Sequence, residues 1–394
     1  MASLVFRKGL ALNEAVAATL ASSYHSQVVD RIKATGFCHQ SGRLTVHLAR
    51  EFGFCYGVDR AVDYAYQARE RFPDRHVYLT GEIIHNPHVN DRLRSLGIRF
   101  LTDADVVSRP PEAADVVIIP AFGLTISQLE QLDRRGCTLV DTTCGSVLNV
   151  WKNVKRYAQD GYTAIIHGKM SHEETRATAS QVLQYPGGRY LVVLNSTEAA
   201  EVCEYVRRGG DRDSFIDRFG QAASQGFEPG RDLSRVGLAN QTTMLMSESL
   251  DVESLFREAM RDRYGDSALA QHFRAFDTIC SATQDRQDAV VSLLASQPLD
   301  LMIVVGGYNS SNTCNLARLC AERVPTFHIA GPECLLAEDA IRHQALGEKV
   351  ELTTRDWLPE GAVTIGLTAG ASTPDNLVGM TVEALERLAS AGAM

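Results

Sequence analysis

The chain has 394 residues, of which 45% are hydrophobic and 22% are charged, and its formal net charge is -9. This length exceeds what one hydrophobic core usually serves, so we expect two or three compact units. The composition excludes a fibrous or largely disordered chain. The acidic balance argues against a nucleic-acid partner and against binding to an anionic membrane, because both partners reward a basic surface.

The sequence also bears on the cellular compartment. No apolar run approaches the roughly 20 residues that a membrane-spanning helix needs. Asn13 and Glu14 interrupt the apolar N-terminal stretch MASLVFRKGLALNEAV, which does not suit a signal peptide. We therefore expect a cytoplasmic protein. Nine scattered cysteines, an odd number, then favour reduced thiols over a disulfide framework.

Short runs rich in Val and Ile alternate with amphipathic stretches along the whole chain. Each run ends in a loop of small and polar residues, as in DVVIIPAFGLT and LDLMIVVGGYNSSN. This alternation predicts an α/β fold with mostly parallel sheets. Ligands of such sheets bind at the carboxyl ends of the strands, so these loops are the candidate functional sites.

The first strand-to-helix segment contains Cys55 and His85. Cys55 follows RLTVHLAREFGF and precedes a stretch in which Val58, Ala61 and Val62 begin an apolar stripe at helical spacing. His85 follows the strand-like start of GEIIHNPHV, where its ring can donate to a phosphate oxygen. A single loop histidine is more often just a surface residue.

The second segment contains Cys144, which lies between TLVDTT and another helical stripe. In HGKMSHEET, His172 can donate to an anion, and Glu174 can deliver a proton or merely favour the first turn of a helix. In GLANQTTML, Thr242 and Thr243 can relay a proton or start a helix.

The third segment begins with Cys280, which lies between AFDTI and the helical pattern SATQDRQDAVVSLL. Further on, GGYNSSNT places Ser310, Ser311 and Asn312 after two glycines and ahead of a helix. Such a loop is either an anion site at a helix N-terminus or an ordinary N-cap. No Walker lysine follows, so a nucleoside triphosphate pocket is not expected.

The last loop is TAGASTPD, which follows a strand-like run. We expect Ser372 or Thr373 to cap a helix that opens with Pro374. Their hydroxyl groups stand at a strand end, where one of them can also join an anion site.

Three cysteines share one setting, between a strand and a helix start. A helix N-terminus favours the thiolate, which is the form that binds metal. Three such thiolates suit an iron–sulfur cluster or zinc. A lone cysteine is more often a small buried hydrophobe, so the metal hypothesis depends on the repetition.

These motifs together resemble the 4-hydroxy-3-methylbut-2-enyl diphosphate reductase family. The matching elements are GFCYGVDRA, GEIIHNP, DTTCG, HGKMSHEET, NQTT, CSATQDRQ, GGYNSSNT and TAGASTPD, in the order of the family and between about Phe6 and Leu388. The N-terminal stretch RKGLALNEAV and an insertion near residues 205–232 resemble the longer branch of the family, which is common in photosynthetic organisms.

The resemblance implies a three-domain α/β trefoil of small, mostly parallel sheets around a central iron–sulfur cluster. The implied ranges are 1–54 for an N-terminal extension and first strand, 55–143, 144–279 and 280–362 for three α/β domains, and 363–394 for a C-terminal segment that returns to the centre. The insertion at about 205–232 would belong to the second domain.

The resemblance also implies roles for the residues named above. Cys55, Cys144 and Cys280 would bind one [4Fe–4S] cluster per subunit. Glu174, assisted by Thr242, would supply a proton. The residues implied in substrate binding are His85, His172, Thr242, Thr243, Ser310, Ser311, Asn312 and Ser372.

The implied reaction is the two-electron reductive dehydroxylation of a C5 allylic diphosphate to isopentenyl and dimethylallyl diphosphate. It is the final step of the non-mevalonate isoprenoid pathway. A ferredoxin or a flavodoxin is the implied electron donor.

The sequence departs from the family pattern at two positions. Phe122 stands where the shorter branch has a histidine, although the PAFG form is common in the longer branch. Gly145 replaces the usual proline after the second cysteine, which we expect to loosen the start of the helix there.

Two alternative functions remain open at this stage. A zinc enzyme acting on phosphate esters would use the same cysteines but would be colourless and would need no redox partner. A non-catalytic iron–sulfur sensor of diphosphates would lose nothing beyond binding when Glu174 is replaced.

Overall fold

A computed structural model describes residues 4–104, 106, 109–276, 278–348 and 350–391. The helices are α1 Asn13–Tyr24, α2 Gln27–Ala34, α3 Tyr56–Arg71, α4 Pro87–Ser95, α5 Ile126–Arg135, α6 Gly145–Gln159, α7 Glu173–Val182, α8 Ser196–Arg208, α9 Arg212–Phe219, α10 Pro229–Asp232, α11 Met246–Tyr264, α12 Leu269–His272, α13 Ser281–Ser296, α14 Ser311–Ala321 and α15 Asp375–Ala391.

The strands alternate with these helices over most of the chain. They are β1 Val5–Phe6, β2 Cys38–Ser41, β3 Leu44–Leu48, β4 Val77–Leu79, β5 Ile98–Phe100, β6 Val116–Ile119, β7 Thr138–Asp141, β8 Thr163–His167, β9 Tyr190–Val193, β10 Val236–Asn240, β11 Phe273–Ala275, β12 Leu301–Val305, β13 Thr326–Ile329, β14 Leu335–Ala337, β15 Ala340–Gln344, β16 Glu351–Arg355 and β17 Val363–Ala369.

The chain divides into two compact units. The first unit comprises Met1–Val5, Pro111–Ala113 and Ile119–Cys280, and the second comprises Phe6–Pro110, Ala114–Ile118 and Ser281–Met394. The five sequence-based domain ranges stay a prediction. Their two ends, 1–3 and 392–394, lie outside the described residues.

The second unit contains an eight-stranded sheet in the order β14-β15-β13-β12-β17-β3-β2, with β16 paired to β15. Its centre, from β13 to β3, is parallel. All five residues of β12 are buried, with Leu301, Ile303 and Val305 in one core cluster and Met302 and Val304 in another. Apolar clusters on both faces explain why this strand reads as a continuous apolar run.

Strand β4 of the second unit pairs in parallel with β5 and with Val116–Ile118 of β6. The first unit contains a parallel four-stranded sheet in the order β11-β10-β8-β9. These sheets confirm the predicted α/β fold with several mostly parallel sheets. Among the described residues, no helix has both the length and the apolar character needed to cross a bilayer.

The segment at about 205–232, which was expected to be an insertion, is part of the first unit and packs into its core. It contains α9 and α10, and Phe215, Phe219 and Phe227 are buried in one cluster with Val202 and Val206 of α8. Burial of three aromatic side chains makes this segment part of a core and not a linker.

Candidate active site

The three candidate metal ligands lie at helix starts, as the sequence predicts. Cys55 is the N-cap residue of α3, Cys144 is the N-cap residue of α6, and Cys280 directly precedes α13. All three are partly buried, and none forms a disulfide. Helix α6 begins at Gly145 with Cys144 in extended backbone, so glycine in place of proline leaves a defined helix start.

A main-chain hydrogen bond fixes each of these cysteines to a neighbouring loop. The Cys55 N–H donates to the Ala371 carbonyl at 3.2 Å, and the Cys144 N–H donates to the Ala121 carbonyl at 3.0 Å. The Cys280 N–H donates to the Thr242 carbonyl at 3.2 Å. The thiols of Cys55 and Cys144 make no capping bond. Each thiol is of a kind that suits a metal with a preference for sulfur ligands, namely iron–sulfur or zinc.

Glu174 lies in the first turn of α7 and is 1% exposed. Its Oε1 accepts from the Thr242 N–H at 2.7 Å, and its Oε2 accepts from the Thr242 hydroxyl at 2.9 Å. A hydroxyl group both donates and accepts, so Thr242 can pass a proton to or from the carboxyl. Because the Cys280 N–H donates to the Thr242 carbonyl, this pair is also joined to the third cysteine.

His172 is the N-cap residue of α7, and its Nδ1 accepts from the Glu174 N–H at 3.1 Å. Nδ1 is therefore unprotonated, and the neutral ring carries its proton on Nε2, where it is a donor. The Phe122 ring meets the His172 ring edge to face, with centroids 5.3 Å apart. Phe122 thus packs on the imidazole at the position where the shorter family branch has a histidine.

Gln241 joins the two loops that carry Glu174 and Thr242, a role that was not predicted although Gln241 stands in the motif NQTT. Its Oε1 accepts from the Lys169 N–H at 3.0 Å and from the Thr175 hydroxyl at 3.1 Å. Its Nε2 donates to the Thr243 hydroxyl at 2.8 Å. Helix α11 begins only at Met246, so of the two alternatives for Thr242 and Thr243 the helix start does not apply.

A second group of candidates lies in the second unit, at the ends of β12 and β17. Ser310 caps α14 by accepting from the Thr313 N–H at 3.4 Å, and Ser311 and Asn312 open that helix. The Ser372 hydroxyl lies 3.4 Å from the Ser310 hydroxyl. These strand-end residues from two loops therefore meet at the N-terminus of a helix, which favours an anion.

The loop TAGASTPD differs from its predicted role as a helix cap. Helix α15 begins at Asp375, one residue after Pro374. The Ser372 hydroxyl donates to the His85 carbonyl at 3.2 Å, and the Thr373 hydroxyl donates to the Val305 carbonyl at 3.0 Å. The Ser372 hydroxyl therefore binds another loop, and the Thr373 hydroxyl binds the end of strand β12, instead of the N-terminus of α15.

Asn312 is 2% exposed and carries a buried donor that has no partner. Its Oδ1 accepts from the Ala371 N–H at 2.9 Å, and this bond orients the amide. Its Nδ2 makes no hydrogen bond to any residue that the structure describes. A buried donor without a partner costs about 1–3 kcal/mol, and an anion bound there would remove that cost.

His85 is held next to the same loops. Its Nδ1 lies 2.8 Å from Glu82 Oε2, and the Asn309 side chain donates to the same oxygen at 2.9 Å. A Cβ atom at Gly307 would lie 2.3 Å from the His85 carbonyl oxygen, so only glycine allows this close approach. The second unit thus brings together His85, Ser310, Asn312 and Ser372.

Comparison with known proteins identifies the family. Residues 46–386 match the family model of the LytB protein. A curated 4-hydroxy-3-methylbut-2-enyl diphosphate reductase of Gloeobacter violaceus is 48% identical over 394 residues, which cover 98% of this chain and 93% of that protein.

Two solved structures are also similar. One, described as (E)-4-hydroxy-3-methyl-but-2-enyl diphosphate reductase, the terminal enzyme of the non-mevalonate pathway, matches with TM-score 0.51, 26% identity and coverage of 87% of this chain and 99% of that one. The E-1-hydroxy-2-methyl-but-2-enyl-4-diphosphate reductase of Plasmodium falciparum shares the fold, with TM-score 0.61, 21% identity and 86% coverage of each chain. The chain therefore belongs to the LytB family of 4-hydroxy-3-methylbut-2-enyl diphosphate reductases, which are oxidoreductases.

Proposed function

We propose that this chain reduces (E)-4-hydroxy-3-methylbut-2-enyl diphosphate to isopentenyl and dimethylallyl diphosphate. The reaction takes up two electrons from the reduced donor and two protons, one at the hydroxyl group, which leaves as water, and one at an allylic carbon. The observation that carries the proposal is the buried Glu174 carboxyl, bonded through both oxygens to Thr242, whose carbonyl accepts from Cys280. This hydrogen-bonded chain supports the roles of proton donor for Glu174, of relay for Thr242 and of metal ligand for Cys280.

The family implies an iron–sulfur cofactor, and we propose that it is a [4Fe–4S] cluster held by Cys55, Cys144 and Cys280. Three partly buried thiols at helix starts suit such a centre, because helix N-termini stabilise anionic ligands. When bound, the cluster would supply electrons and, at an iron without a protein ligand, a Lewis acid for the hydroxyl group.

The protein residues handle the proton. An allylic hydroxide is a poor leaving group, so protonation at its oxygen lowers the barrier to its departure. We propose that Glu174 supplies this proton and that the Thr242 hydroxyl, 2.9 Å from Glu174 Oε2, relays it. Gln241 holds the two loops in register through its bonds to Thr175 and Thr243.

The diphosphate is the second part of the substrate to be recognised. We propose that the hydroxyl, amide and imidazole groups of His85, His172, Ser310, Ser311, Asn312 and Ser372, together with Thr243, bind it. The unpaired Nδ2 of Asn312 supports this assignment, since it is a buried donor for which an anionic oxygen is a suitable acceptor. Binding at this remote group orients the hydroxyl end for reaction.

A ferredoxin or a flavodoxin is the proposed electron donor, and a cytoplasmic location is part of the same proposal. The net charge of -9 gives no support to a nucleic-acid or membrane partner.

The test is anaerobic purification, a visible spectrum with iron and sulfide counts, and turnover of the hydroxylated C5 diphosphate with a reduced donor. We expect brown protein with about four irons per chain and both C5 products. Colourless or zinc-loaded protein, or iron-loaded protein that releases neither product, would contradict the proposal.

A further inference from the structure

Arg286 on α13 is a buried cation that the proposed reaction does not use. The residue is 4% exposed. Its Nε and Nη2 donate to the Gly53 carbonyl at 3.2 and 2.7 Å, and Nη2 also donates to the Phe54 carbonyl at 3.3 Å. Its Nη1 donates to the Ala282 carbonyl at 2.7 Å. Every bond of this guanidinium therefore ends on a main-chain carbonyl oxygen.

No carboxylate among the described residues forms an ion pair with Arg286. Glu51, Asp59 and Asp375 line the same cavity of about 560 Å³ as Arg286. Asp375 is instead paired with Lys33 at 3.0 Å. A buried charge without a partner is costly, and buried charges in proteins are normally paired or associated with metals. The protein therefore retains a positive charge here that a nearby anion would compensate.

The location indicates what that anion is. Cys55 directly follows the two carbonyl groups that Arg286 binds, and it lines the same cavity. As the N-cap of α3, Cys55 also lies at the positive end of a helix dipole. A thiolate with its bound metal centre is the anion that matches this position.

We propose that Arg286 is a positioning residue that holds the Cys55 turn, and that its buried charge raises the reduction potential of the metal centre bound by Cys55. This inference rests on the proposed function. Reduction adds a negative charge to the centre, and a nearby cation stabilises the reduced form more than the oxidised form. Charge and hydrogen bonding near an iron–sulfur cluster are known determinants of its potential.

The size of the effect follows from Coulomb's law. At an effective dielectric constant of about 20, a charge that is buried near a second charge changes an equilibrium that alters the second charge by about tenfold. Loss of the charge should therefore lower the equilibrium constant for one-electron reduction of the metal centre at least about tenfold, which corresponds to a midpoint potential about 59 mV lower.

The experiment is a redox titration of the iron-loaded full chain, followed by electron paramagnetic resonance, on wild type, R286Q, R286K and the control R50Q. Arg50 is exposed, with its guanidinium over the Phe37 ring, so its removal changes the net charge equally but should leave the midpoint unchanged. R286Q should shift the midpoint to lower potential. R286K keeps the charge and loses the forked hydrogen bonds. Its midpoint potential should therefore stay close to that of wild type, but it should release iron faster on exposure to a chelator.

The outcomes separate this inference from the function on which it rests. If R286Q loads iron and keeps the wild-type midpoint, the inference is wrong. If R286Q fails to bind iron, R286K provides the test instead. A midpoint potential that is about 59 mV lower than that of wild type in R286K, despite the retained charge, would also overturn the inference. Failure of the wild-type chain to bind iron would instead contradict the proposed function.

Discussion

The two units hold their candidate groups in different states of hydrogen bonding. In the first unit both carboxylate oxygens of Glu174 accept from Thr242, whose carbonyl accepts from Cys280. In the second unit the buried Nδ2 of Asn312 has no partner. Groups bonded within the protein are preorganised for proton transfer, whereas an unpaired buried donor gains its bond only from a ligand. The difference predicts that Glu174 acts in proton transfer and that Asn312 acts in substrate binding.

The largest expected effect is the loss of a metal ligand. Replacing Cys280 with serine removes a thiolate from the end of the Glu174–Thr242 chain, so we expect loss of bound iron and of nearly all activity. Iron and sulfide counts and the visible spectrum measure this. Cys38→Ser, a partly buried cysteine on β2, is the control. Equal iron content in both variants would show that Cys280 is not a metal ligand.

The next effect tests whether Glu174 of the first unit acts in proton transfer. Glu174→Gln keeps the shape and the bond from the Thr242 N–H but cannot supply the proton, so kcat should fall about 10²–10⁴-fold with KM little changed. Steady-state kinetics under anaerobic conditions measure both constants. Glu204→Gln, at an exposed position on α8, is the control. A rise in KM at constant kcat would instead show that Glu174 acts in substrate binding and does not supply the proton.

A smaller effect tests whether Asn312 of the second unit binds the substrate. Asn312→Asp keeps an acceptor for the Ala371 N–H but replaces the unpaired donor by an oxygen, which repels a diphosphate. We expect KM to rise about tenfold to a hundredfold, the equivalent of about 1–3 kcal/mol, with a smaller change in kcat. The control is Asn13→Asp, because Asn13 Oδ1 accepts from Gln67 and an aspartate oxygen can do the same. An unchanged KM in Asn312→Asp would show that the unpaired amide does not bind substrate.

The sequence predicted the elements that carry the site better than the contacts within it. An apolar run followed by a helical stripe was enough to place Cys55 and Cys144 at helix starts. The bond between Glu174 and Thr242 joins residues 68 positions apart, so it depends on the parallel pairing of β8 with β10, which no local pattern specifies.

Local patterns also misled where tertiary contacts compete with a local role. Ser372 and Thr373 have the residue types of a helix cap, but their hydroxyls donate to the carbonyls of His85 and Val305, which are distant in the sequence. Arg286 was overlooked because arginine is normally exposed. Its spacing to Ala282 and Val290 on one helical face was the signal that it points into the protein.

The smallest expected effect concerns pH and should be shared by both units. Burial lowers the pKa of His167 in the first unit and of His328 in the second to about 4. Each imidazole is neutral in the folded chain but takes up a proton below about pH 6.5 when unfolded. Each therefore contributes stability that is present above pH 6.5 and is lost as the pH falls towards 4.

At pH 5.5 the expected loss is about 1.4 kcal/mol for each histidine relative to pH 7.5. Urea unfolding of wild type, His167→Gln and His328→Gln at both pH values measures it. Each variant should be less sensitive to acid than wild type, although its stability at pH 7.5 can fall, since His167 Nδ1 bonds Ser249 and His328 Nε2 bonds the Gly306 carbonyl. If one variant keeps the acid sensitivity of wild type, the imidazole that it lacks titrates alike in the folded and the unfolded chain, and the expected effect is not shared by both units.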